Sequence, residues 1–279
     1  MLGRSSLWVI KKVLTSLPFM LSVAMGRVAG CTLVRKYGTN EEITSVTDPE
    51  DVWDFGGEYQ GFNDVAGDLY ISSADAADTM EFEVDGLDEL GAVQKKNVVL
   101  NGQTPVLIDG SWLRIHYACN SGSTRTQGLV YVYRLSTVTA GVPLDIDVRS
   151  FVKVSAQCSL QALYTIPAKT IGFLVSGGVG IRGTGTPSSA GDFMNTHLEL
   201  KPHGGVFRIG QTVDLQIGST SIFETTFDAP TVITALTDIK TVAHLVTGSL
   251  GIWAVFSIFL IDEKYFSESY LSSINQPGY

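Results

Sequence analysis

The chain has 279 residues, enough for about two domains of ordinary size. Hydrophobic residues make up 44% and charged residues 17%, a balance too apolar and too weakly charged for a disordered polypeptide. The net charge of -9 supplies no basic footprint for nucleic acid, and three cysteines that are odd in number and contain no CxxC give no disulfide scaffold and no cysteine-rich zinc module.

At the N-terminus Arg4, Lys11 and Lys12 precede an uncharged run from Val13 to Gly26, followed by Val28-Ala29-Gly30-Cys31. That is the order of a secretory signal with a lipoprotein-like cysteine. Arg27 and Pro18 interrupt it. The other readings are an apolar arm, residues 1–35, that docks on a neighbouring subunit, or residues that owe their place to the choice of start codon. The run is too short to span a bilayer.

From residue 31 onward the hydrophobic period is two. Met80, Phe82 and Val84 alternate with Glu81 and Glu83, and Leu113, Ile115 and Tyr117 with Trp112, Arg114 and His116. Leu129, Tyr131 and Tyr133 alternate with Val130, Val132 and Arg134, and Val213, Leu215 and Ile217 with Thr212, Asp214 and Gln216. Alternation of this kind places one set of side chains on a core face and the other on a wet or partner face. Asn101-Gly102 between two apolar runs predicts a tight hairpin, and Asp109-Gly110 repeats the chemistry. No amphipathic helix pattern follows residue 31. The expected fold is therefore all-β, as two antiparallel β-sandwich (jelly-roll-like) domains.

The expected partition is a first sandwich over 36–140, a linker over 141–154 and a second sandwich over 155–263. A C-terminal tail covers 264–279 and reads as an extended arm. The glycine-rich stretch from Gly177 to Asp192 reads as a long surface loop. Ile252 to Ile261 is apolar on both faces, either a central strand or a strand with one face toward another subunit.

Enzyme motifs are absent: there is no GxSxG, HExxH or GxxxxGK[ST]. His116, His197, His203 and His244 lie too far apart in sequence for a local metal clip. His116 and His197 fall on the polar phase of alternating strands, and His203 in a turn. Asp48, Glu50, Asp51, Asp54 and Glu58, with Asp75, Asp78, Asp85, Asp88 and Glu89, read as a solvated acidic face. A cation site or a glycosidase pair are the sharper alternatives. Neither meets a motif, so no catalytic residue, metal ligand or cofactor is expected.

Several segments, taken together, carry a family resemblance: Lys36 to Glu42 (KYGTNEE), Asp48 to Gly57 (DPEDVWDFGG), Leu69 to Ser73 (LYISS) and Val84 to Asp88 (VDGLD), then Val99 to Thr104 (VLNGQT), Leu160 to Thr170 (LQALYTIPAKT) and Gly204 to Arg208 (GGVFR). Their order and spacing over residues 36–262 resemble a family of virion structural proteins of tailed bacteriophages. The resemblance implies a particle protein with no catalytic residues, whose partners are the major capsid protein and copies of itself, with a trimer expected. It implies a place in the virion, on the capsid surface as a decoration (cement) protein or in the tail, neck or head fibre, without nucleic acid and without a membrane in the mature particle. Interface residues expected on chemical grounds are Trp53 and Phe55 in an acidic, glycine-flanked segment, Arg182 in the glycine-rich stretch, and Tyr265, Phe266 and Tyr270 in the tail. For Trp53 a core position is an equal alternative.

Overall fold

In the computed structural model, residues 22–266 are described except 24, 44–46, 63–64, 136, 184–191, 217–221 and 248–249. They form fifteen strands: β1 (Cys31–Ile43), β2 (Glu50–Asp51), β3 (Gly67–Ser73), β4 (Glu81–Asp88), β5 (Val93–Val99), β6 (Val106–Asn120), β7 (Val130–Tyr133), β8 (Val148–Val152), β9 (Leu163–Thr165), β10 (Thr170–Gly183), β11 (Phe193–Lys201), β12 (Arg208–Gln216), β13 (Ile222–Ile233), β14 (Asp238–Thr247) and β15 (Leu250–Asp262). Every strand pairing is antiparallel. The all-β expectation holds.

Two sheets face each other in one body. Sheet I has the order β1-β15-β10-β13; sheet II has the order β12-β11-β14-β2, with β9 also on β14. Their inner faces bury Leu174, Met194, Leu215, Ile239, Leu245, Ile252, Phe256 and Ile258 in one apolar core. The other body is a single six-stranded sheet III, order β5-β4-β6-β3-β7-β8. It curls round its own core of Ile71, Phe82, Val84, Ile108, Trp112 and Val132, so one bent sheet does there what two facing sheets do in the first body. The bend falls in β6. Its first half pairs with β3 and its second half with β4, and the register shifts where the partner changes.

The strand pairing departs from the expected partition at both ends. β1 pairs along its length with β15 (Cys31 opposite Ile261, Asn40 opposite Ile252), so residues 31–43 are built into the C-terminal body. The stretch 141–154 contains β8, which pairs with β7. β15 is an interior strand of sheet I, flanked by β1 and β10; Ile252, Ala254, Phe256 and Ile258 face the core, while Trp253, Val255 and Ile261 on the other face are half-buried.

Three local expectations need correction. Asn101-Gly102 does make a tight turn, with Gly102 at φ +54° and Asn101 bridged to Thr104. The strands either side are not partners, because β4 lies between β5 and β6. The hairpin is instead β4–β5, whose turn is held by Asp88 Oδ1 accepting from the backbone N–H groups of Leu90 and Ala92. Asp109-Gly110 lies within β6 and turns no hairpin. Gly177 to Gly183 is strand rather than loop: it pairs with both β13 and β15. Glycine is needed there because the Trp253 indole lies across the backbone, and a Cβ on Gly180 would sit 2.4 Å from a ring carbon. Residues 184–191 of the same stretch lie outside the described residues.

The cysteines supply the last correction. Cys119 and Cys158 are disulfide-bonded, tying the end of β6 to the segment before β9. Spacing in sequence could not show this, since 39 positions separate them.

Candidate functional site

The acidic segment that begins with β2 is the centre of the molecule's polar chemistry, and Glu50, Asp51 and Asp54 in it are buried, where a solvated acidic face was expected. Each carboxylate is held. Glu50 Oε2 accepts from Asn40 Nδ2 at 3.1 Å and from the Gly57 backbone N–H at 3.0 Å. Asp54 accepts from Thr39 Oγ1 at 2.7 Å and from the Leu160 N–H at 3.2 Å. Asp51 Oδ2 accepts from the Tyr59 N–H at 2.6 Å. Burial costs a carboxylate its hydration, and these donors replace it.

The segment from Val52 to Phe62 then leads from the sandwich core, where Val52 packs, to a cluster of aromatic rings beside sheet III. Trp53 is only 2% exposed and packs with Tyr59, Tyr131, Tyr133, Phe151 and Leu163, with Phe55 half-buried beside them. Edge-on contacts join Trp53 to Tyr59 (4.9 Å between centroids), Phe55 to Phe151 (5.3 Å) and Tyr59 to Phe62 (4.9 Å). Trp53 therefore stands in the core, its alternative position, and leaves almost no surface for another chain. The same cluster explains β7: Val130 and Val132 enter the core of sheet III while Tyr131 and Tyr133 enter the aromatic cluster, so both phases of the alternation are buried.

Deeper in the seam, three cations meet three carboxylates. Register places them on one face of sheet II: Lys201 stands opposite Asp238, Glu199 opposite Lys240, and Asp51 opposite Val242. Arg114 of β6 reaches across from sheet III and grips Asp238 with two bonds, Nε to Oδ1 at 2.8 Å and Nη2 to Oδ2 at 3.0 Å. These side chains are 3% and 1% exposed. Thr165 Oγ1 also donates to Asp238 Oδ1, at 2.6 Å. Lys201 Nζ lies 3.6 Å from Asp238 Oδ2 and donates to the Phe62 carbonyl at 2.7 Å. Lys240 Nζ lies 2.9 Å from Asp51 Oδ1 and 3.8 Å from Glu199 Oε2. The rings of Phe62 and Phe207 close the seam: Arg114 sits over Phe62, and Lys201 and Lys240 over Phe207. Burial pushes the Asp51 carboxyl up to about 6 although Lys240 and the Tyr59 N–H pull the other way, and burial pushes the Tyr59 hydroxyl up to about 12.

A second polar group lies beside it. His116 is buried rather than on a wet face. Its Nδ1 is 3.4 Å from Asp85 Oδ1, its ring packs at a tilt against Tyr164 with centroids 4.2 Å apart, and its carbonyl accepts from Lys36 Nζ. Burial lowers the His116 pKa against the pull of Asp85, and lowers Lys36 to about 8.

The remaining expected site residues are dispersed. Arg182 has its backbone in β10, opposite Gly251 of β15. Tyr265 lies in a 3₁₀ turn over Glu263–Tyr265, 55% exposed, with its ring against Gly30. Phe266 stacks on Phe173. Tyr270 and the rest of the tail beyond Phe266 lie outside the described residues. His203 is in a turn, as expected.

Among the described residues, no group of three or more His, Cys, Asp or Glu could hold a metal ion, and no helix is long and apolar enough to cross a membrane. A cavity of about 30 Å³ between the sheets of the sandwich is lined mainly by Leu174, Val179, Leu198, Val213, Phe223 and Phe256. Thr196, His197, Gln211 and Thr241 also line it.

Sequence reasoning missed Arg114, Glu199, Lys201, Asp238 and Lys240. The signal was present: charges occupy alternate positions between apolar residues in Leu198-Glu199-Leu200-Lys201 and Asp238-Ile239-Lys240. Alternation says that those charges share a face, and only the packing says that the face is covered.

No family model matches the chain, and no curated protein matches it. Among solved structures it is similar to the VP2 subviral particle of infectious bursal disease virus, at 12% identity over 88% of this chain and 82% of that one, with a TM-score of 0.21. The structure of the Gx strain of the same virus gives 13% identity over 88% and 82%, with a TM-score of 0.21. Likenesses of this size assign no role to the chain.

Proposed function

We propose that this chain is a structural virion protein of a tailed bacteriophage, a capsid-surface decoration protein that binds the major capsid protein and copies of itself, as a trimer. Among the described residues, the observation that carries the reading is the set of sheet edges left without a partner strand. β5, β12 and β13 are edge strands, and Val93 and Val99, Ile209, and Ile222 and Val232 stand exposed along them. Unpaired edges with apolar side chains are liabilities in a lone chain, and assembly into a symmetric particle covers them. A net charge of -9 suits an outer surface and not genome packing. The buried ion pairs of the described residues lie inside, joining the two bodies. The exposed Tyr265 adds to the contact surface. Such a protein stabilises a shell by binding the assembled form more tightly than free subunits.

The test is binding to expanded heads. Added protein is expected to occupy the capsid surface in a cryo-electron microscopy reconstruction and to raise the resistance of heads to heat and chelators. Recovery of the protein only in isolated tails would reject the decoration role in favour of a tail, neck or head-fibre component.

The Cys119–Cys158 bond favours a second reading. Disulfides persist in oxidising compartments, and the Arg4 to Cys31 segment has the order of a secretory signal. On that reading the chain is a secreted or lipid-anchored adhesion module. Mass spectrometry of the mature N-terminus separates the two, since an intact Met1 or Leu2 excludes processing.

A further inference from the structure

Lys240, Asp51 and Glu199 form a group that an ion pair alone does not explain. All three lie on the face of sheet II turned away from the sandwich core, brought together by the registers of β2, β14 and β11. Lys240 Nζ lies 2.9 Å from Asp51 Oδ1, and that oxygen is buried from solvent. The other oxygen, Oδ2, is held by the Tyr59 N–H at 2.6 Å. Glu199 Oε2 waits 3.8 Å from Nζ, and the Phe207 ring covers the amine at 4.6 Å. The three side chains are 11%, 1% and 19% exposed in the order Lys240, Asp51, Glu199. An amine and a carboxyl held in contact, with water excluded, are positioned for condensation.

We propose that Lys240 Nζ and Asp51 Cγ condense spontaneously in the folded chain to an intramolecular amide bond, with Glu199 as the proton carrier. Proton transfer from the ammonium to Asp51 Oδ1 leaves a neutral amine and a neutral acid. Burial pushes the Asp51 carboxyl toward its protonated form, which eases that transfer. The amine lone pair attacks Cγ, the N–C bond forms, and the carbonyl electron pair moves onto Oδ2, where the Tyr59 N–H stabilises the oxyanion. Glu199 takes one proton from the nitrogen and returns it to the Oδ1 hydroxyl. The Cγ–Oδ1 bond breaks, water leaves and the Cγ–Oδ2 double bond re-forms. One water is lost for one amide gained, and no oxidant or other reagent is needed. The bond would lock β2 to β14 covalently, beside the seam that joins the two bodies. It is independent of the role assigned to the protein in the particle.

Intact mass spectrometry of the purified full chain, reduced and denatured, tests the proposal. The expected mass is the sequence mass less one water, and proteolysis should yield a branched peptide joining residues 51 and 240. Lys240→Arg is expected at full mass. Glu199→Gln, checked for a cooperative melt, is expected to form the bond more slowly by a factor on the order of 10². Wild-type protein at full sequence mass after prolonged incubation in the folded state would overturn the proposal. So would a water loss that maps to a linear peptide. Bond formation in Glu199→Gln at the wild-type rate would remove Glu199 from the chemistry.

Discussion

Strand β14 has two faces, and different physics holds each. Ile239, Ala243 and Leu245 point into the sandwich core and meet Phe256 and Ile258 of β15 within one apolar cluster. Asp238 and Lys240, on the opposite phase, point into the seam and meet Arg114, Asp51 and Glu199. The apolar face is non-directional: any well-filled volume serves, and loss scales with the atoms removed. The charged face is directional and all-or-none. Each ion has given up its hydration, and only its partner offsets that. The sandwich is therefore the tolerant half of the junction and the seam the brittle half.

The sharpest way to break that contrast is Arg114→Ala. It strands Asp238 as a buried carboxylate without its two-pronged partner, and a loss of about 3–5 kcal/mol in denaturant unfolding is expected. The double variant Arg114→Met with Asp238→Leu removes both charges and should recover much of that loss. If the double variant is as damaged as the single one, the seam is not held by charge pairing. Next in size is the disulfide: replacing Cys119 and Cys158 by Ser is expected to cost about 2–4 kcal/mol, read from the same unfolding curves. On the tolerant side, Ile258→Val in the sandwich core should cost only about 0.5–1.5 kcal/mol. A larger loss there would mean that the apolar face is as unforgiving as the charged one.

The smallest effect is a slope rather than a loss. His116 is held neutral by burial, with Lys36 on β1, Asp85 on β4 and Tyr164 on β9 around it. Its folded pKa lies below the ordinary value of about 6.5. As pH falls through that value the unfolded chain takes up a proton that the folded chain refuses. The unfolded state then binds more protons, and stability declines with acid. Urea midpoints measured from pH 7 downward should show this fall, and His116→Gln should flatten it. An unchanged slope in the variant would exonerate His116. Lys36, lowered to about 8, works in the same sense at high pH. Between pH 8 and the unfolded value of about 10.4 the unfolded chain holds the extra proton, so stability rises with pH there.

Much of the local structure was legible. The alternations at Phe82-Val84, Leu113-Ile115 and Val213-Leu215 all lie in strands, because a period of two admits no other regular structure. Gly177 to Gly183 was not legible as strand. Gly180 answers to the Trp253 ring, about seventy residues away in the chain, and local propensity counts such glycines as breakers. The acidic segment was misread for a related reason: clustered carboxylates look solvated until their donors, Asn40, Thr39, Tyr59 and Leu160, are seen around them.

The sequence by itself determined that this protein is built of antiparallel strands, because alternation is a property of neighbours along the chain. It also put Lys240 and Glu199 each on the phase opposite to the apolar one. Which strands pair was decided only in three dimensions. So were the entry of β4 between β5 and β6, the recruitment of β1 to the C-terminal body, the Cys119–Cys158 bond and the meeting of Arg114 with Asp238. Those contacts join residues far apart in sequence, and their energy comes from excluding water between whole sheets. No window of sequence contains both sides of such a contact.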